Sequence, residues 1–105
     1  MDKKLKAKWL RALRSGKIKQ GRGALIDGKG RMCCIGVLGR VVGIDDETLL
    51  ERSAYLRGTG LEKIDACNID RFLDPLAVLN DGNKEKRPQS FKQIAKYIEK
   101  EIQCS

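Results

Sequence analysis

The sequence predicts an α+β protein that forms one small domain over residues 1–105. Two amphipathic patterns with the helical period, one near each end of the chain, predict a basic N-terminal helix and a C-terminal helix. Between them, glycine-rich stretches around the turn dipeptide Asp27-Gly28 predict a short β-hairpin. A chain of 105 residues is long enough for one hydrophobic core, which favours a single domain.

The first element is predicted to be a basic amphipathic helix. Leu5, Trp9 and Leu13 recur every four residues and therefore lie on one helical stripe. The opposite side carries basic residues: Lys3, Lys4, Arg11 and Arg14. Asp2 can cap the start of this helix, and Gly16 stands where a helix commonly ends.

The hairpin is predicted to follow this helix, with strands at roughly residues 22–26 and 30–33. Its apolar residues Ala24, Leu25 and Ile26 lie between glycine-rich stretches. Strands this short are only marginally stable alone in water, so we expect them to pack on helices.

Residues 34–42 are almost all apolar or glycine and show no alternation, which favours a buried helix. Gly36 and Gly39 lie on one side of this helix, where they would let another element approach closely. A glycine inside a helix costs about 1 kcal/mol relative to alanine, so we expect a larger side chain to collide there. Gly43 is predicted to end the helix.

The second half of the chain is less regular until its last helix. Residues 45–67 are acidic and weakly patterned, with a loop at residues 57–60. Residues 69–79 have helical spacing, but Pro75 lies inside the pattern and predicts a break or kink there. The composition of residues 82–89 predicts an exposed linker before the last helix.

The last helix has the clearest start signal of the chain. Ser90 followed by Gln93 matches a capping box. The apolar stripe that follows consists of Phe91, Ile94, Ala95, Ile98 and Ile102.

The charge of the chain is unevenly distributed. The formal net charge is +8, and residues 1–43 hold 12 basic against 2 acidic residues. Residues 44–83 hold 4 basic against 9 acidic residues, and residues 84–105 hold 6 against 3. A basic part beside an acidic segment favours a polyanionic partner more than an even distribution does.

The predicted partner is nucleic acid or a nucleoprotein complex, contacted through backbone phosphates. The first helix and the glycine-rich loops supply the predicted binding residues: Lys3, Lys4, Arg11, Arg14, Lys17, Lys19, Arg22, Lys29 and Arg31. Lys6 and Lys8 add further charge to the same helix. No aromatic residues alternate with these charges, so phosphate contacts are favoured over base stacking.

Four cysteines stand at positions 33, 34, 67 and 104, without the regular spacing of a disulfide framework. We expect free thiols in a reducing compartment, and we predict no metal and no cofactor. The chain contains no histidine, which removes Cys-His and Ser-His catalytic arrangements. Cys33 and Cys34 are therefore predicted to be mainly small buried apolar residues, and no catalytic residue is assigned.

The sequence predicts no membrane association. Arg40 interrupts the longest apolar run, so no segment of about 20 apolar residues exists. The basic start of the chain lacks the apolar block and the cleavage site of a secretory signal, so we expect the protein in the cytoplasm.

The motifs at both ends of the chain resemble a family of small uncharacterised proteins of tailed phages and prophages. The N-terminal matches are Trp9, Ala12, Leu13, Ser15, Gly16, Gln20, Gly21, Gly23, Leu25, Cys33, Cys34, Gly36, Val37 and Leu38. The C-terminal matches are Leu79, Asn80, Asp81, Ser90, Phe91, Ile94 and Ala95. The resemblance implies a phage origin without a mechanism. Small phage proteins often act on host machinery or defence systems, so host takeover or anti-defence in the host cytoplasm is the expected role.

Three functions are compatible with these observations. The first is a non-enzymatic protein that binds the nucleic-acid backbone or a nucleoprotein complex. The second is an inhibitor that binds a host protein directly, through the acidic middle segment or an apolar patch. The third is a thiol-dependent enzyme, which requires Cys33 or Cys34 to be exposed.

Overall fold

The architecture is helical. The computed structural model describes residues 3–51 and 70–102. These ranges contain α1 (Lys3–Arg14), α2 (Cys34–Val41), α3 (Asp46–Glu51), α4 (Asp70–Asp81) and α5 (Phe91–Glu101). They contain no β-strand, so the predicted α+β class is wrong and the protein is predominantly helical.

The segment between α1 and α2 is not a hairpin. The strands predicted at residues 22–26 and 30–33 are absent, and Met32 instead makes two isolated bridges. One bridge is parallel and joins Met32 to Gln20, and the other is antiparallel and joins it to Ile26. A single bridge on each side is too little pairing to form a sheet.

The burial pattern of this segment explains why no ladder forms. Leu25 and Ile26 are adjacent and both buried, whereas neighbouring residues of a strand point to opposite faces of a sheet. Gly23 has a φ of +80°, which turns the backbone out of the extended region. Its N–H donates to the side chain of Asp81 rather than to a neighbouring strand.

Helix α1 packs against both α2 and α5. Trp9 and Leu13 are the buried residues of α1, and the indole Nε1 of Trp9 donates to the carbonyl oxygen of Cys34 over 2.9 Å. The predicted helix with this apolar stripe is confirmed. The proposed cap, Asp2, lies outside the described residues.

A glycine permits the close contact between α2 and the segment before it. A Cβ added at Gly36 would lie 1.9 Å from the carbonyl oxygen of Leu25, far inside van der Waals contact. The predicted close approach at this glycine is therefore confirmed. Gly43, with a φ of +96°, follows the end of α2 as predicted.

Helix α4 continues through Pro75, so the predicted break at this residue is wrong. Proline removes one backbone donor from a helix, but Pro75 lies on the exposed side. Leu73 and Leu76 are buried on the other side of the helix. The packing of this apolar side holds the helix together across the missing hydrogen bond.

The capping box of α5 is present as predicted, with Ser90 and Gln93 bonded reciprocally. The residues of the predicted linker, 82–89, are mostly exposed. The loop predicted at residues 57–60 lies outside the described residues. No helix in the described part of the chain is long and apolar enough to cross a membrane.

Candidate functional site

A buried asparagine joins the two halves of the chain through hydrogen bonds. Asn80, near the end of α4, is fully buried. Its Oδ1 accepts hydrogen bonds from the backbone N–H of Cys34 at 3.1 Å and from Nε2 of Gln20 at 3.0 Å. Its Nδ2 donates to the carbonyl oxygen of Gly21 at 2.9 Å and to Oδ1 of Asp81 at 2.8 Å. The full hydrogen-bonding capacity of this amide is thereby used.

Two further contacts extend this network to the surface. Oδ1 of Asp81 also accepts from the backbone N–H of Gly23 at 3.0 Å. Nε2 of Gln20 also donates to the carbonyl oxygen of Gln89 at 2.7 Å. The network thus ties the loop after α1 to both ends of the loop between α4 and α5.

The two adjacent thiols lie at the start of α2, inside the core. Cys33 is the N-cap, and its Sγ accepts from the backbone N–H of Gly36 at 3.3 Å. Cys34 is fully buried, with its Sγ 3.7 Å from the carbonyl oxygen of Leu76. Both thiols are free.

Burial controls the acidity of both thiols. It raises the pKa of Cys33 and raises the pKa of Cys34 well above its ordinary value, with the charge of Asp81 acting in the same direction. A nucleophilic thiol needs the opposite shift, because the thiolate is the reactive form. The prediction that these cysteines are buried apolar residues is confirmed by their positions.

The predicted nucleic-acid-binding residues are all exposed: Lys3, Lys4, Arg11, Arg14, Lys17, Lys19, Arg22, Lys29 and Arg31. Arg14 and Arg31 each form an ion pair with a carboxylate. Nη2 of Arg14 lies 2.6 Å from a carboxylate oxygen of Glu99, and Nε of Arg31 lies 2.7 Å from one of Asp27. The Arg14 side chain lowers the pKa of Glu99. The pKa of Asp27 is lowered mainly by the backbone N–H of Arg31, and the N–H of Lys29 and the Arg31 side chain add to this effect.

Lys6 also has a structural role. Its Nζ donates to the carbonyl oxygens of Glu99 and Ile102 at the end of α5. The free carbonyl groups at a helix C-terminus carry partial negative charge, which a lysine stabilises. The charge of Lys6 therefore faces α5.

An open groove brings three basic residues together beside α1. It encloses about 390 Å³ and is lined by Lys8, Arg11, Ala12, Ser15, Lys17 and Ile18. No acidic residue of the described part of the chain lines it. Lys8, Arg11 and Ser15 lie along one side of α1 and the turn that follows, while Lys17 and Ile18 belong to the next segment.

The predicted set therefore divides between several places. Arg11 and Lys17 meet in the groove, and Lys8, which was not among the predicted binding residues, joins them. Arg14 faces α5, and Arg31 belongs to the turn at Asp27. Arg22 lies next to the network around Asn80. The helical period places Lys8 four residues after Lys4 and three before Arg11, a spacing that could have shown this side of α1.

The described residues contain no group of three or more side chains that could hold a metal ion. The acidic segment proposed for a protein partner lies mostly outside the described residues. What the structure offers to a ligand is therefore a basic groove and a set of basic loops.

These features define a small helical protein with a basic surface and a buried polar network. The chain belongs to the family DUF8296, a domain of unknown function, whose family model matches residues 1–70. The matched region includes α1, α2 and the partners of Asn80 in the first half of the chain. No curated protein and no solved structure matched in the corresponding searches.

Proposed function

We propose that the protein is a small basic accessory protein of the phage type that binds the nucleic-acid backbone, alone or in a nucleoprotein complex, without catalysing a reaction. The phage type rests on the resemblance of the sequence motifs around Gln20, Cys33 and Asn80 to those of small phage proteins, which often act in host takeover or anti-defence in the host cytoplasm. The groove beside α1 carries the binding proposal.

Three of the six residues that line this groove carry a positive charge. Lys8, Arg11 and Lys17 meet there with no described carboxylate among the lining residues. Coulomb attraction between exposed charges falls off over about 10 Å at 0.1 M salt, so three cations around one groove act on the same ligand. Binding of a phosphate backbone to such a cluster releases counterions and therefore weakens as salt rises.

The chemistry of the thiols argues for binding rather than for catalysis. Burial disfavours the thiolate of both Cys33 and Cys34, and neither has a basic side chain as a hydrogen-bond partner among the described contacts. A thiol-dependent reaction would need an activated and accessible sulfur atom.

Binding can be measured by fluorescence anisotropy with a labelled 20-base-pair duplex, a single-stranded DNA and an RNA, at about 50 mM and about 200 mM salt. The test variant replaces all three groove cations: Lys8→Gln, Arg11→Gln and Lys17→Gln. The matched control makes the same charge change on the exposed side of α5: Lys92→Gln, Lys96→Gln and Lys100→Gln.

We expect the groove variant to bind the duplex at least about ten-fold more weakly. The slope of the logarithm of the binding constant against the logarithm of the salt concentration should become smaller by about one for each lost phosphate contact. The control should stay close to the wild type. Equal losses in the two variants would mean that binding follows net charge alone. No binding to any of the three probes, or capture of a host protein that persists after nuclease treatment, would favour a direct protein partner instead.

A further inference from the structure

The loop between α4 and α5 has a defined conformation. The backbone N–H of Gln89 donates to the carbonyl oxygen of Leu79 at 2.7 Å and closes the loop at its base. At the tip, the N–H of Asn83 donates to the carbonyl oxygen of Lys86 at 2.9 Å, and the Asn83 side chain accepts from the N–H groups of Glu85 and Lys86. A ligand of this loop would therefore meet a surface that is already ordered.

Three of the four residues at positions 84–87 are basic. Lys84, Lys86 and Arg87 are all exposed, and Glu85 is the acidic residue among them. Within residues 3–51 and 70–102, no carboxylate forms an ion pair with any of these three side chains. Their charge is available to a partner in solution.

The polar network places a second basic segment beside this loop. Gly23 is bonded to Asp81 at the start of the loop, and Gln20 is bonded to Gln89 at its end. Arg22 lies between these two anchor points and is exposed. These hydrogen bonds hold the segment that carries Arg22 against both ends of the loop, in one region of the surface.

This region is close to the groove beside α1. Lys17 lines the groove, and Arg22 is only five residues further along the chain. Five residues span at most about 18 Å, even when fully extended. This distance corresponds to about five base pairs along a duplex, whose rise is about 3.4 Å per base pair. The two places therefore lie within the length of one 20-base-pair duplex.

We propose that Arg22 and the loop containing Lys84, Lys86 and Arg87 form a second phosphate-binding surface, which contacts the same duplex backbone as the groove. This inference rests on the proposed function and extends it to residues whose composition suggests only a linker. Phosphate is the favoured ligand because basic residues predominate at the loop tip and residues 82–89 include no aromatic side chain for base stacking. The buried amide of Asn80 sets the relative position of the two loops.

The test uses the full-length chain, the labelled 20-base-pair duplex and three variants that each remove three positive charges. The loop variant is Lys84→Gln, Lys86→Gln and Arg87→Gln, measured beside the groove variant and the α5 control described above. Circular dichroism melting of each variant checks that the fold is retained. If the loop triple variant melts early, the three single variants replace it.

We expect the loop variant to bind at least about five-fold more weakly and to lower the salt slope by about two to three, or by about one for each single variant. If it binds like the α5 control while the groove variant binds weakly, the loop surface is refuted and the groove stands. The opposite pattern refutes the groove and retains the loop. If neither variant binds the duplex more weakly than the α5 control does, both the groove and the loop surface are refuted.

Discussion

The side-chain oxygen of Asn80 accepts a hydrogen bond from the backbone N–H of Cys34 at 3.1 Å, joining the end of α4 to the first turn of α2. The first N–H groups of a helix have no partner within the helix. In α2, Asn80 satisfies the donor of Cys34, and the Cys33 thiol satisfies that of Gly36. A residue 46 positions away thus completes the start of a buried helix.

Replacement of Asn80 should be strongly destabilising. In Asn80→Ala, the N–H of Cys34 and the carbonyl oxygen of Gly21 lose their side-chain partner inside the protein. Each unsatisfied buried group costs about 1–3 kcal/mol, so we expect the free energy of unfolding to fall by about 3 kcal/mol. Urea denaturation followed by circular dichroism measures this change.

The control for this prediction is another asparagine that bonds to backbone N–H groups, but at the surface. Asn83 is exposed and holds the tip of the loop before α5. Asn83→Ala should cost less than about 1 kcal/mol, because water can replace the lost acceptor. Equal losses for the two variants would show that burial of the network contributes nothing.

Substitution of Gly36 tests the contact between α2 and the segment before it. The methyl group of Gly36→Ala would lie 1.9 Å from the carbonyl oxygen of Leu25, so the backbone of one element must move. We expect a loss of about 3 kcal/mol or more in the free energy of unfolding. Gly28→Ala is the control, because no atom lies within 4 Å of the added carbon. A stability close to the wild type in both variants would contradict this packing.

The sequence predicted those elements whose signals are local. The stripe that includes Trp9 and the capping box of Ser90 and Gln93 each lie within one helix, and both appear as predicted. Apolar periodicity and capping depend on neighbours three or four residues apart, so they can be read without knowledge of the fold.

The prediction of a hairpin is wrong because a turn dipeptide does not by itself specify strands. The residues around Asp27 do form a turn, with its N–H donating to the carbonyl oxygen of Arg31 at 2.9 Å. The chain before the turn, however, is held by tertiary contacts: Gly23 bonds to Asp81, and Gly21 bonds to Asn80. These partners lie about 60 residues away, and no local pattern indicates them.

The candidate site was predictable as charge but not as geometry. The excess of basic residues in the first 43 positions indicated a basic surface. A count of charged residues cannot show that Glu99 of α5 forms an ion pair with Arg14 of α1, nor that Lys6 faces the end of α5. Residues 84–87 have the composition of a linker, and only the fold shows that hydrogen bonds join the two ends of their loop to Gln20 and Gly23.

The two thiols of α2 should react slowly in the folded protein. Cys34 is fully buried, so a reagent reaches it only after local or global unfolding. Burial also keeps both thiols protonated at neutral pH. We expect maleimide to label Cys33 and Cys34 at least about 100-fold more slowly than in the urea-unfolded chain. Mass spectrometry of the digested protein separates these positions from Cys67 and Cys104. Rapid labelling of Cys33 in the native state would reopen the case for a thiol enzyme.

The same two thiols should make stability depend on alkaline pH. Burial raises the pKa of Cys33 and of Cys34 above the ordinary value of 9.0, so the folded state retains protons that the unfolded state releases. The contribution of the two protonated thiols to the free energy of unfolding is fully present below about pH 8. It is lost as the pH rises above 9, by up to about 1.4 kcal/mol per pH unit for each thiol. Urea denaturation of the wild type between pH 7 and 9.5 should therefore show falling stability.

The variant Cys34→Ala starts from a lower stability because it leaves a cavity, but its curve of stability against pH should be flatter over this interval. The raised pKa of Tyr97 acts in the same direction only nearer its ordinary value of 10.0, and the difference between the two curves assigns the remaining change to Cys34. Parallel curves for the two proteins would mean that Cys34 is as easily ionised in the folded state as in the unfolded chain.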